Sequence, residues 1–453
     1  MKLTIVKEKE FYRSVLAIML PVALQQAINM GVNMLDTMML GSFGEVQLSA
    51  SSLANQFYNL FTIFCMGIIG GCSVLSAQYW GAGEKDKVRE TFNMAIRLAA
   101  GLALLFALVT FFFPEWIMSV YTSEEEVIVQ GVRYLKITTF VYLLHGTSLV
   151  AAQLMRSVGQ AQLGLIVSIL SFVVNIAGNY VFIFGAFGAP RMEIAGAALG
   201  TFFARTTEFL VTFVYIIGID KKLGLRARHL LKSPSSTFYS NYFRLGAPVL
   251  VSDGLLALGD SILSVVLGHM GTAAVAGNAI CMVVQRLFTV IIQGISNASS
   301  IITGNTIGKG EREKAMKQGQ TFYLLSILFG VITSGLVMIF GPMTISIYSL
   351  TPETVIVTRQ LMNTYVVIVF FQAIQSVMTK GVLRGGGDTK FLMIADILFL
   401  WLVSIPLGAV GGLLFGWPPW LTMLCLRIDF AIKSVWCVSR LLSGKWIRQV
   451  SRE

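Results

Sequence analysis

The sequence predicts an all-α polytopic membrane protein, with twelve transmembrane helices in two six-helix lobes related by an internal repeat. Three observations carry this expectation. The composition is too apolar for a water-soluble globule, apolar runs of spanning length recur twelve times, and motifs return at an offset of 227 or 228 residues.

Of 453 residues, 55% are hydrophobic and 13% charged, and the mean hydropathy is +0.74. So little polar surface suits a chain solvated by lipid. The formal charge of +11 resides in the short connections, where a membrane orientation signal belongs, and this argues against nucleic acid as a partner. Cys65, Cys72, Cys281, Cys425 and Cys437 lie in apolar segments without metal-ligand spacing and read as packing residues. His145, His229 and His269 are dispersed, and no pair has metal spacing.

The first expected span, 14–39, is too long and too polar along one stripe for a cleaved signal, so it is expected to be retained. In it Gln26, Asn29, Asn33 and Asp36 follow at three, four and three residues, which draws one polar stripe down a helix. A carboxylate at membrane depth costs roughly 2.5–3.5 kcal/mol on insertion scales, so Asp36 is a functional-site candidate. It has no basic residue within two turns, and Asn29, Asn33 and Thr37 are its company. That suits a carboxylate alternately holding a proton or a small cation such as Na⁺, although a helix-packing hydrogen bond would use the same residues. Met30, Met34 and Met38 form either an adaptable wall for apolar cations or ordinary packing.

Spans two to four, 49–78, 93–113 and 131–154, are apolar runs of the length a 30 Å hydrocarbon core demands. The fifth, 163–186, carries a second stripe of Ser168, Ser171, Asn175 and Asn179. Its amides could coordinate Na⁺ or share a proton network with Asp36, or hold helices together. The sixth, 195–219, adds Thr201, and its Glu208 has Arg205 three residues before it as a neutralising partner.

The second half repeats the plan at 246–268, 276–306, 320–341, 357–382, 391–414 and 420–441. In the seventh span Asp253, Asp260 and Ser264 share one side. Gln293, Asn297 and Ser300 in the eighth, with Gln372, Gln375 and Thr379 in the tenth, are expected to line the same substrate cavity as Asp253 and Asp260 and as Gln26, Asn29, Met30 and Asn33. Arg286 and Lys380 are candidate counter-ions there. Asp396, six residues past Lys390, suits either interfacial anchoring or the cavity, and Asp429 has Lys433 four residues later.

Most Lys and Arg residues lie in alternate connections and the two tails, whereas the opposite loops hold Arg133, Arg191 and Arg359. Both termini are therefore expected in the cytoplasm of a cell-membrane protein. The division expected is an N-terminal lobe 1–219, a basic cytoplasmic linker 220–245, a C-terminal lobe 246–441 and a tail 442–453. The repeat pairs Leu40-Gly41-Ser42-Phe43-Gly44 with Leu267-Gly268-His269-Met270-Gly271, and Gly81-Ala82-Gly83-Glu84 with Gly308-Lys309-Gly310-Glu311. It also pairs Arg156-Ser157-Val158-Gly159 with Arg384-Gly385-Gly386-Gly387. Six spans per half keep the halves in one orientation, and sites are expected between them. At an offset of 227, Asp36 falls opposite Leu263, so the halves carry their charges differently.

These residues resemble the multidrug and toxic compound extrusion (MATE) transporters over essentially the whole chain. The resemblance rests on Met34-Leu35-Asp36-Thr37 with Gly41, on Gln78-Tyr79-Trp80-Gly81-Ala82-Gly83, and on Leu154-Met155-Arg156-Ser157-Val158-Gly159. Asn175 with Asn179, and Leu383-Arg384-Gly385-Gly386-Gly387-Asp388-Thr389, complete it. It implies two lobes, alternating access, and export of organic cations in exchange for Na⁺ or H⁺, with Asp36 central to coupling. Some members carry an aspartate at the Asn179 position, and in others a seventh-span glutamate binds the cation, where Asp253 or Asp260 is nearest here.

Glycine-rich 385–387 lacks the phosphate-loop pattern, so an ion gradient rather than ATP is the expected energy source. The functional expectation is secondary active antiport of small, cationic, amphipathic substrates by a monomer in membrane lipid, with no cofactor beyond the coupling ion and no enzymatic activity. A lipid-linked precursor flippase would share the lobes but need a wide basic cavity, and a non-transporting receptor would not need a duplicated path.

Overall fold

The structure, a computed structural model, describes residues 4–41, 44–231, 234–348 and 350–449. Ser42 and Phe43 of the repeated motif, Lys232 and Ser233 of the linker, and the ends of both tails lie outside the described residues. Backbone polar groups in lipid must be satisfied within their own segment, and every regular element among the described residues is helical. In chain order the principal ones are α1 Lys9–Gly41, α2 Glu45–Gly81, α3 Lys85–Phe112 and α4 in two segments, Glu125–Thr138 and Val141–Ser157. Next come α5 Ala161–Phe184, α6 Ile194–Ile219, α7 Ser236–His269 and α8 Thr272–Gly308. The last four are α9 Arg312–Ile347, α10 Pro352–Leu383, α11 Thr389–Leu414 and α12 in two segments, Pro419–Leu426 and Ile428–Leu442.

Among the described residues ten helices are long and apolar enough to cross a membrane, or eleven with the bent α4 pair as one span. The expected uninterrupted fourth span is therefore corrected to a pair bent by 55°. Two threonines sit at the bend. The Thr138 hydroxyl donates to the carbonyls of Tyr134 and Leu135 at 3.2 Å, and that of Thr139 to Leu135 O at 2.9 Å, competing with the helical ladder just where it breaks. The twelfth span is divided likewise, into segments of 8 and 15 residues that meet at Arg427.

The repeat has structural content. Pro21 and Pro248, 227 residues apart, lie inside α1 and α7, and α2 and α8 are both 37 residues long. The repeated glycine motifs end helices: Gly83 and Gly310 have φ of +81° and +83°, and Gly159 and Gly387 have +79° and +81°, a region open mainly to glycine.

By contacts the chain groups into two compact units, one of residues 1–23, 77–83 and 244–453, the other of 24–76 and 84–243. In the first, the end of α2 crosses the end of α8 reciprocally. A Cβ on Gly81 would strike the Asn305 carbonyl, and a Cβ on Gly308 the Gln78 carbonyl, so glycine sets the closeness of approach on each side. The chain after α12 packs beside them, with Trp446 fully buried and Arg448 N donating to Gly386 O at 3.0 Å. Asp388, also fully buried, accepts from Arg440 and forms an ion pair with Arg448, at 2.7 Å each.

In the second unit, Phe61, Phe106 and Tyr142 form a buried aromatic cluster among α2, α3 and α4. Helices α5 and α6 pack through small residues. The Gly178 Cβ position lies 2.9 Å from Gly200 Cα, and a Cβ on Gly196 would meet the Phe182 carbonyl.

Candidate functional site

The close α5–α6 packing places two amides beside the acid of α1. Asn179 is fully buried, its Oδ1 against Gly200, where any larger residue would collide with it. Its Nδ2 donates to Asp36 Oδ1 at 2.5 Å and lies 3.4 Å from Asn175 Oδ1. Asn179 Oδ1 is buried without a hydrogen-bond partner among the described residues. The structure thus gathers Asp36, Asn175 and Asn179 into one cluster that retains an unused oxygen. Thr201 stands a short step away beside the Tyr134 hydroxyl, which approaches Asn55 Oδ1 at 3.4 Å.

Further along the same face of α6, Arg205 donates to Glu208 at 2.6 Å, and His145 Nδ1 lies 3.4 Å from the same carboxylate. The same-helix pair is present, and His145, from α4, joins it. Of the stripe on α1, Asn29 and Asn33 are exposed, while Gln26 and Met30 are half-buried.

In the other unit the acids are paired by residues that spacing did not reveal. Asp253 accepts from Arg384 at 2.9 Å and Asp260 from Arg427 at 2.6 Å, so the expected counter-ions Arg286 and Lys380 give way to these two arginines. Asp396 is neither an interfacial anchor nor exposed. It is buried, bonded by the Ser252 hydroxyl and 2.7 Å from Lys433, which also holds Asp429 at 2.9 Å. Sequence spacing linked Lys433 to Asp429 alone, because Asp396 comes from a different helix.

The uncharged residues expected in the cavity make short-range polar contacts. Gln372 accepts from Gln285 at 2.7 Å, whereas Gln375 is buried and donates to Thr379 at 3.0 Å within α10. Asn297 is half-buried and donates to Gln293 O at 2.9 Å, and Gln293 itself is exposed.

The repeat recurs in these contacts. Arg384 with Asp253 has a counterpart 228 residues earlier, where Arg156 donates to Gln25 Oε1. Asp253 therefore corresponds to Gln25 by contact, one residue from the position the offset of 227 assigns. Arg156 had a visible signal, its repeat partner, but Gln25 lay outside the stripe at 26, 29, 33 and 36.

Five of the six span acids consequently sit against a basic group. Asp36 alone, among the described residues, has an amide instead.

Comparison with known proteins agrees with this architecture. The family profile MatE matches residues 21–181 and 248–410, one stretch in each half. The chain is 26% identical over 443 residues to the probable multidrug resistance protein NorM of Thermotoga maritima, covering 96% of this chain and 93% of that protein. The fold superposes on a Vibrio cholerae MATE transporter, VcmN, with a TM-score of 0.88 at 14% identity, covering 98% and 99% of the two chains. An outward-facing multidrug resistance MATE transporter of the MOP superfamily gives 0.85 at 16% identity, covering 97% and 99%. With a family profile spanning most of both repeats, and the fold shared along its length, the chain belongs to the MatE family, the multidrug and toxic compound extrusion transporters.

Proposed function

We propose that this transporter exports small, amphipathic organic cations by antiport, with Asp36 as the group that exchanges the coupling ion. The observation carrying this reading is that Asp36, among the described residues, is held by an amide and has no ion pair. A carboxylate that already owns an arginine or lysine gains little from a further cation, whereas one held only by an amide has charge to offer. Asn179 Nδ2 fixes one carboxylate oxygen, leaving the other, with the unused Asn179 Oδ1 and the nearby Asn175 amide, for a proton or a Na⁺.

Either ion neutralises Asp36. Neutralisation changes what the site offers a cationic substrate, so ion and drug compete for the same negative charge. Coupling then requires that the two facing states differ in affinity for each, as alternating access supplies. The positive-inside bias supports cytoplasmic termini in the cell membrane.

The test is efflux of a cationic dye from proteoliposomes under an imposed Na⁺ gradient, an imposed H⁺ gradient, or neither, with Asp36→Asn in parallel. Wild-type protein should respond to one of the two gradients, and the variant should lose that response. Undiminished gradient-driven efflux by Asp36→Asn would remove Asp36 from the coupling role.

A further inference from the structure

In the unit that contains α7 to α12, the first turns of α9, the chain after α12 and Thr4 border an open cavity of about 660 Å³. Its walls are built and held. Thr4 donates through its amide and hydroxyl to Gln320 Oε1 at 2.9 and 2.7 Å, which fixes the amino-terminal tail against α9. Gly444, at φ +69°, turns the chain after α12 so that Lys445 and Ile447 join the wall.

Arg312, Lys317 and Lys445 line this cavity with one acid, Glu313. None of the three cations makes an ion pair among the described residues. Neighbouring basic groups do: Lys314 meets Glu311 at 3.5 Å, and Arg440 and Arg448 meet Asp388 at 2.7 Å. Arg312 spends one N–H on Ile447 O at 3.4 Å and keeps the rest of its fork. Like charges drawn around one space repel unless a counter-charge fills it, and the amino-terminal turn of α9 adds the positive end of its dipole.

Depth indicates the source of that charge. The apolar run of α9 begins at Phe322, and Lys317 precedes it by five residues, about 7 Å along the axis at 1.5 Å per residue. The polar headgroup layer extends roughly 5–8 Å beyond the hydrocarbon on each side. We propose that this cavity binds a phosphate oxyanion, supplied by the headgroup of an anionic membrane lipid, with Lys317 and Lys445 as its ligands and Arg312 at its outer rim. Met316 and Ile447 provide apolar wall beside it, and the bound phosphate ties the chain after α12 to α9.

The test uses the full chain in nanodiscs of phosphatidylcholine alone, of phosphatidylcholine with phosphatidylglycerol, and of phosphatidylcholine with inorganic phosphate in the buffer. The melting temperature is read in each. Phosphatidylglycerol should raise it for the wild type and for Lys314→Gln, whose lysine is already paired, and the Lys317→Gln/Lys445→Gln variant should lose most of the rise. An equal rise with inorganic phosphate, lost in the same variant, would identify a free phosphate as the ligand. Should the double variant fail to fold, Lys445→Gln alone, outside any helix, repeats the comparison. A full rise retained without these lysines, or no rise with either phosphate source, overturns the proposal.

Discussion

The triad of Lys433, Asp396 and Asp429 gives the sharpest energetic prediction. Lys433 and Asp429 have no exposed side-chain surface, Asp396 has 5%, and the ammonium stands 2.7 and 2.9 Å from the two carboxylates. Lys433→Met removes the cation but keeps its volume nearly constant, so packing loss is small and electrostatics decides the outcome. Breaking one buried pair costs about 3–5 kcal/mol because the remaining charge is uncompensated. Here one substitution strands two carboxylates, so the loss should reach at least that range. Restoring neutrality should reverse it. Lys433→Met/Asp396→Asn should recover part of the lost melting temperature, and the triple variant with Asp429→Asn most of it, since an apolar or neutral replacement of a whole buried ion cluster is often tolerated. Thermal unfolding of the four proteins in one detergent measures the series. If Lys433→Met melts with the wild type, or the triple variant melts no higher than the single one, buried charge compensation is not what Lys433 supplies.

The repeated arginines predict opposite signs for two similar changes. Gln25→Glu gives Arg156, which is 4% exposed, the acid its repeat counterpart already has, and should raise the melting temperature; Asp253→Gln strips Arg384 and should lower it. Arg384 and Asp253 keep 15% and 17% of their side-chain surface, so the second loss should fall below the fully buried range, at about 1–3 kcal/mol. The same melting assay checks both, and equal signs would refute the correspondence. Gly308→Ala sets a methyl against the Gln78 carbonyl, and Gly81→Ala sets one against that of Asn305; because backbone cannot swing aside, each should reduce folded yield on size-exclusion chromatography. Gly335→Ala, with open space at its Cβ position, should not.

The fold was legible because lipid leaves the backbone few choices. Long apolar runs must be helices, and a duplicated chain announces itself through glycines at fixed separation, as Gly83 and Gly310 show by sharing one left-handed turn. Individual breaks were not legible. The bend in α4 falls at Thr138 and Thr139, residues that suit an unbroken helix equally well in sequence. At the site, periodicity could draw two stripes, Asp36 on one and Asn175 with Asn179 on the other, but only packing decides that they meet. The glycines that seat Asn179 against α6, Gly178 and Gly200, carry no polar signal of their own. Charge pairing divides the same way. A partner within one turn is visible, as Arg205 is for Glu208, whereas Arg384, Arg427 and Asp396 act across helices and could be found only through the tertiary fold. This asymmetry sharpens the reading of Asp36. Absence of a basic residue nearby in sequence was weak information, since three of the other acids find theirs far along the chain; absence of an ion pair in the fold, among the described residues, is what distinguishes it. The fold could have supplied Asp36 with a partner as it did for Asp253, Asp260 and Asp396, and it supplied an amide.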